Sequence, residues 1–249
     1  MTVTVDIWTD INCPFCYLGK RRFEAALGEF PQRDGVTVVH RSFELDPTLA
    51  AGTSAPVVEH IAQKYGISVE QAAANEQGIA AQADDLGLGY RTNGRDFGSS
   101  FDMHRLLHHA LAHGRQEALL DALYEANFAE DEPLFGDHER LVEIAVGAGL
   151  DEAGARAVVD DPEAYADAVR RDQSEAASLG ANGVPFFVFG GKYAVSGAQP
   201  PETFARALQL AWGDQLVPVG AESADTCGPD GCAVPDTDAS AADGSRSDD

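Results

Sequence analysis

Hydrophobic residues near the start of the chain alternate. Val3, Val5 and Ile7 are separated by Thr4 and Asp6, the period of a strand with one buried face. The period then changes, with Leu18, Phe23, Ala26, Leu27 and Phe30 at helical spacing. This predicts a strand over 2–9 and an amphipathic helix over 14–29. Pro31 and Asp34-Gly35 mark a turn, and the β-branched run 36–43 predicts a buried second strand, parallel to the first in a right-handed βαβ unit.

The α/β pattern is then interrupted. Ser68-Val69-Glu70-Gln71 is a capping-box-like start for an alanine-rich helix that Leu86-Gly87-Leu88-Gly89 ends. Further helices fit 101–112, 116–127, 137–148, 151–159 and 161–179. Asp137, Asp151 and Asp161 are their N-caps where one is evident, and Pro162 fits a first turn. Leu106, Leu107, Leu111, Leu119, Leu120, Leu123, Phe128 and Phe135 supply these helices with a core of their own. The strand 186–189 follows, a hairpin through Gly190-Gly191 leads to 193–195, and a last helix covers 202–212 with Phe204, Leu208 and Trp212 on one face. The expected organisation is an α/β domain over 1–54 and 161–213, a helical insertion over 55–160, and an acidic tail over 214–249. That tail is rich in Ala, Ser, Asp, Gly and Pro, a composition that predicts disorder.

Candidate chemistry sits between the first strand and helix, at Cys13-Pro14-Phe15-Cys16. Pro14 suits the first helical position. Cys13 is then the N-cap, where free N–H groups and the helix dipole favour a thiolate. Cys16 lies one turn on, within bridging reach. The geometry makes Cys13 the exposed, attacking sulfur and Cys16 the resolving one. Half a zinc site and inert packing are the other readings of such a pair, but strand–Cys-x-x-Cys–helix is the setting of a thioredoxin-like redox motif. His104, His108, His109 and His113 form two i,i+4 pairs, an incomplete metal set without a nearby glutamate, so no metal is expected. In the tail, Cys227 and Cys232 form Cys-x4-Cys, readable as incidental thiols, a zinc knuckle or a second redox pair.

The 249 residues include 17 basic and 41 acidic side chains, a net charge of −24. Such a surface disfavours nucleic acid and anionic membranes as partners. No basic and apolar leader precedes the first strand, and no apolar run approaches a membrane span, so the expected compartment is the cytoplasm. There structural disulfides are rare and a thiol pair reads as catalytic, sensing or metal-binding.

The segment from Cys13 to Glu24 resembles the active-site region of the FrnE-like branch of the DsbA family. Phe43-Glu44-Leu45-Asp46-Pro47, Phe101-Asp102-Met103-His104-Arg105-Leu106 and the segment Gly180 to Phe189 match in order. The resemblance implies a thioredoxin fold with an inserted all-helical subdomain and dithiol–disulfide exchange on protein or small-molecule thiols, glutathione among them, without a cofactor. It implies that Val184–Pro185 is cis and faces the cysteines, that Pro14, Phe15, Val184 and Pro185 contact substrate, and that His104 or Arg105 lines the cleft. Some FrnE-like proteins also carry a C-terminal Cys-x4-Cys redox pair. Phe15 stands where DsbA has histidine and FrnE-like proteins usually have tryptophan, so DsbA's strongly oxidising potential does not carry over. Two other function classes remain. Chromene-carboxylate isomerases and kappa-class glutathione transferases use glutathione but generally have serine and no resolving thiol. A non-catalytic redox-responsive binding module would oxidise once without turning over.

Overall fold

The computed structural model describes residues 2–214 and, apart from them, the short backbone segments 227–228 and 231–232. The alternating N-terminal stretch forms β1 (Val3–Thr9), with Val3, Val5 and Ile7 buried. Helix α1 (Pro14–Glu29) and a 3-10 turn, Arg33–Gly35, lead to β2 (Val36–Ser42). The two strands run parallel, from Val3 opposite Val36 to Thr9 opposite Ser42. A parallel pair needs a crossover, and α1 supplies it.

Next come β3 (Ser54–Pro56), α2 (Val57–Tyr65), α3 (Val69–Asp85) and β4 (Asp96–Gly98). β3 and β4 pair antiparallel, Ala55 opposite Phe97. Helices α4 (Phe101–Ala112), α5 (Gln116–Phe128), α6 (His138–Gly147), α7 (Glu152–Asp160) and α8 (Ala166–Ser178) follow. Ser68, Asp137 and Asp151 cap their helices by accepting from Gln71, Arg140 and Gly154 N–H groups. Asp161 does not start a helix. Its carboxylate accepts from Glu163 N, Tyr165 takes a positive φ of 60°, and α8 begins only at Ala166.

The chain then returns to the sheet with β5 (Phe186–Phe189) and β6 (Tyr193–Ser196), and ends its described course in α9 (Pro201–Gly213). β5 pairs antiparallel with β1 and with β6, giving the order β2-β1-β5-β6. One core joins Val5, Ile7, Phe23, Phe187, Phe189 and Phe204 between the sheet, α1 and α9. Helices α4, α5 and α8 lie against β2. Gln116 covers that strand's edge, accepting from His40 N at 3.0 Å and donating to His40 O at 2.8 Å.

A second core holds Leu106, Leu107, Leu119, Leu120, Leu123, Phe128 and Phe135, as their spacing suggested, together with Ile11, Cys13 and Cys16. Leu111 is the exception, 37% exposed on the outer face of α4. In the remaining segment, β7 (Cys227–Gly228) and β8 (Gly231–Cys232) form an antiparallel backbone pair with Cys227 opposite Cys232. The cysteine side chains and the expected disorder of the tail lie outside the described residues.

Candidate active site

The loop between β1 and α1 is held from several directions. Cys13 is the N-cap of α1 with Pro14 in the first turn, and Cys13 N donates to Asp10 O at 3.1 Å. The buried Asp10 carboxylate accepts from Asn12 N at 3.2 Å and Leu45 N at 2.7 Å. Asn12 Nδ2 reaches Gly98 O at 2.8 Å, and Asn127 Nδ2 reaches Ile11 O at 2.7 Å. β4 and α5 thus fasten the loop from the far side of the sequence.

The Cys13 sulfur does not take a helix N–H. It donates instead to Val184 O at 3.6 Å, and the Val184–Pro185 bond is cis, as the resemblance implied. Close approach of α1 to this segment depends on Gly19, where an added Cβ would stand 2.9 Å from Pro185 Cγ. Both cysteines are free thiols and both are buried, Cys13 at 4% exposure and Cys16 at 1%. The expectation of an exposed Cys13 is therefore corrected: the helical core closes around it. Cys13 nonetheless opens on a cleft of about 810 Å³ that Cys16 does not line. Pro14, Phe15, Asn182 and Val184 border the cleft with Leu45, Val57, Ile61 and Phe97. Phe15 is 45% exposed there. Pro185 faces a neighbouring hollow of about 370 Å³ that shares Asn182, Gly183 and Val184.

Cys16 is buried in the core that α4 and α5 help to build. Burial pushes its thiol well up, the neighbouring Cys13 adds to this, and a hydrogen bond with the Thr9 side chain pulls it down. Thr9 Oγ1 is in turn hydrogen-bonded to the hydroxyl of Tyr124, in which burial also raises the pKa.

His104 does not line the cleft. It is fully buried, with Nε2 3.6 Å from Asp10 Oδ1, longer than a hydrogen bond. Burial raises Asp10, but the imidazole, Leu45 N–H and Ser100 outweigh it and leave the carboxyl below its ordinary value. Arg105 is also buried, and its guanidinium donates to the carbonyls of Val158, Asp161 (2.6 Å) and Ala164 (3.2 Å). The first histidine pair separates, His104 towards Asp10 and His108 onto Asp172 at 3.0 Å, whereas His109 and His113 keep their ring centroids 4.3 Å apart and His109 also meets Tyr165 at 3.3 Å.

Two charged clusters had no local signal. Arg95 and Glu76 form a buried ion pair at the cleft wall, joined by Tyr90, whose hydroxyl donates to Glu76 at 2.9 Å. Buried Lys20 lies among Glu24, Glu117 (2.6 Å) and Asp121 (2.5 Å). Among the described residues those three carboxylates are the group close enough to hold a metal ion, and the Lys20 ammonium already sits among them.

A β-α-β unit joined to a β-hairpin and a helix, with Cys-x-x-Cys at the first helix and a cis-proline beside it, defines a thioredoxin-fold protein. The chain belongs to the DSBA-like thioredoxin domain family, which matches residues 4–209. It is 60% identical to a "probable DsbA oxidoreductase" of Streptomyces coelicolor, covering 94% of this chain and 99% of that one with a TM-score of 0.83. The YwbO protein of Bacillus subtilis is 25% identical over 209 residues, 84% of this chain and 96% of that protein. The fold is shared with the cytosolic disulfide reductase DsbM of Pseudomonas aeruginosa at 18% identity and a TM-score of 0.57, covering 84% of this chain and 98% of that one.

Proposed function

We propose that this chain is a thiol–disulfide oxidoreductase acting in the cytoplasm on cysteines of proteins or small molecules, glutathione included. The observation that carries the reading is the placement of Cys13 at a helix N-cap, opening on the cleft beside Val184 O, with Cys16 buried one turn behind. A thiolate at Cys13 attacks a substrate disulfide, and Cys16 then displaces the substrate from the mixed disulfide. Run in reverse, a substrate thiolate opens the Cys13–Cys16 disulfide at Cys13. Pro14, Phe15, Val184 and Pro185 form the substrate-facing rim, and the main chain at Val184 offers an extended peptide a strand-like edge. The glutathione-using isomerases and transferases generally have serine and no resolving thiol, so the presence of both Cys13 and Cys16 favours exchange.

The test is turnover of a small aromatic disulfide and of a protein disulfide, followed by redox titration in glutathione buffers. Wild type turns over both. Cys13→Ser turns over neither, and Cys16→Ser stops as a mixed disulfide on Cys13. Multiple turnover by Cys13→Ser would reject the reading, and a single stoichiometric oxidation of wild type would favour the binding module. Cys227 and Cys232 act as a second redox pair, a reading supported by their opposition in the backbone register. Mass spectrometry of Cys16→Ser protein would then show Cys13 linked to Cys227 or Cys232. Absence of that link, with turnover unchanged after their removal, rejects the pair.

A further inference from the structure

The cleft on which Cys13 opens carries a charge unlike that of the chain around it. Leu45, Val57, Ile61, Ile67, Ile79 and Phe97 give it apolar walls. Among the described residues, the charged side chains that line it are Lys64, Glu76 and Arg95. Glu76 is engaged within the wall, where its carboxylate holds the Arg95 guanidinium and accepts from the Tyr90 hydroxyl at 2.9 Å. That ion pair sums to no net charge. Lys64, in the last turn of α2, is left over. Its ammonium donates to Leu45 O at 3.3 Å and stands 5.6 Å from the centroid of the Phe97 ring, so two cleft residues hold it at the lining. Among the described residues Lys64 has no ion-pair partner. Asp46 is near enough to feel its charge, but that carboxylate accepts from Thr48 N at 3.2 Å and Thr48 Oγ1 at 2.6 Å. A chain of net charge −24 thus keeps an uncompensated cation in the cleft of its attacking thiol.

We propose that the cleft takes small organic disulfides carrying a carboxylate beside an apolar or aromatic group, and that Lys64 selects them by pairing with the carboxylate. This rests on the exchange reading above and names its substrate class. A cleft of about 810 Å³ has the size of a small-ligand site rather than of a seat for a folded domain. Its apolar walls suit the body of such a molecule, and they let one fixed charge act more strongly than it would in open water. Elsewhere the acidic surface repels an anion, whereas at Lys64 the substrate's charge meets its opposite. The Cys13 thiolate then attacks one substrate sulfur, the substrate S–S bond breaks, and the departing sulfur leaves with the electron pair. Cys16, giving up its proton, displaces the other half from Cys13. Both halves end as thiols, and the Cys13–Cys16 pair ends oxidised.

The test uses full-length protein with Cys227 and Cys232 replaced by serine, prereduced and freed of reductant. It is mixed with dianionic dithiobis(nitrobenzoate), with neutral dithiodipyridine, or with a peptide disulfide of no net charge, and thiol release is timed. Lys64→Met is expected to slow the dianion about fourfold, the scale of one unit charge acting across such a cleft at an intermediate dielectric, and Lys64→Glu to slow it further. Lys64→Arg keeps the wild-type rate, the two neutral disulfides stay within about twofold in every variant, and high salt narrows the effect. Unchanged dianion rates in Lys64→Met and Lys64→Glu would overturn the proposal. Equal slowing of all three disulfides would overturn it by giving Lys64 a structural role, and slowing confined to the peptide would give the cleft to peptides instead. In Cys16→Ser protein, iodoacetate and iodoacetamide put the same question to Cys13 without exchange: Lys64→Met should slow the anion and spare the amide. That result without disulfide exchange would support the anion site and remove the exchange reading alone. Normal exchange with no charge effect in either assay would remove this proposal alone.

Discussion

The Cys13 sulfur and the Val184 carbonyl oxygen lie 3.6 Å apart although 171 residues separate them. Their meeting depends on how closely α1 approaches the 184–185 segment, and Gly19 sets that approach. A Cβ at Gly19 would sit 2.9 Å from Pro185 Cγ and 3.4 Å from Ala198 Cα. Gly19→Ala is expected to push this segment away from the cysteines, with a stability cost of roughly 1–3 kcal/mol for overpacking. Turnover should fall more than folded fraction. Denaturant titration beside steady-state exchange checks this, and wild-type turnover in Gly19→Ala would show that the contact is slack.

Asp10 links stability to acid. Its folded pKa lies below the ordinary 3.8, so the carboxylate contributes stability above that pH and loses it as pH falls further. Wild type should weaken below about pH 3.8 more steeply than Asp10→Asn. The variant should therefore be less stable at pH 7, by a margin that shrinks in acid. Urea unfolding at pH 7 and pH 3 measures both margins, and equal margins would refute the linkage.

Lys20 gives the opposite sign. Burial pushes its ammonium down, but Glu117, Glu24 and Asp121 outweigh this and hold it above the ordinary 10.5. Its contribution is complete below that pH and is lost as pH rises through the folded value. Lys20→Met leaves three carboxylates facing one another and is expected to cost about 1–3 kcal/mol, less than a fully buried pair because the carboxylates are partly exposed. Thermal melts at neutral pH, with and without high salt, read the loss. A melting point equal to wild type would count the cage as idle.

Arg105 is a structural clamp. Arg105→Lys loses the guanidinium that reaches the Val158, Asp161 and Ala164 carbonyls through Nη1 while bonding Asp102 through Nε and Nη2, so the α7–α8 connection should loosen by about 2–3 kcal/mol. KM for small disulfides should not move. A raised KM with an unchanged melting point would return Arg105 to the substrate site.

What was legible in the sequence was local. The turn from β1 through Cys-Pro-x-Cys into α1 rests on period and capping, and so do the starts of α3, α6 and α7 at Ser68, Asp137 and Asp151. Helix α2 was missed because a proline precedes it rather than a capping side chain, and β3 and β4 are three residues each. The start of α8 was misplaced because Asp161 and Pro162 form a local start signal, while Arg105, more than fifty residues earlier, takes the Asp161 and Ala164 carbonyls. His104 has a helical period that says which face it occupies but not that Asp10 is its neighbour. Lys20 reads as an ordinary solvent-facing charge until α5 brings Glu117 and Asp121 over it.

Cys13 and Cys16 share a core with α4 and α5, and Cys13 touches a carbonyl supplied just before β5. A ribosome makes the chain in the other order, cysteines first. At the usual pace of synthesis, Cys13 waits on the order of ten seconds for Val184 to appear. Through that interval the nascent chain carries the motif without its surroundings, as two ordinary thiols open to any oxidant. The first residues made become a site only when some of the last arrive, so a chain cut before β5 would keep the signature and lack the chemistry.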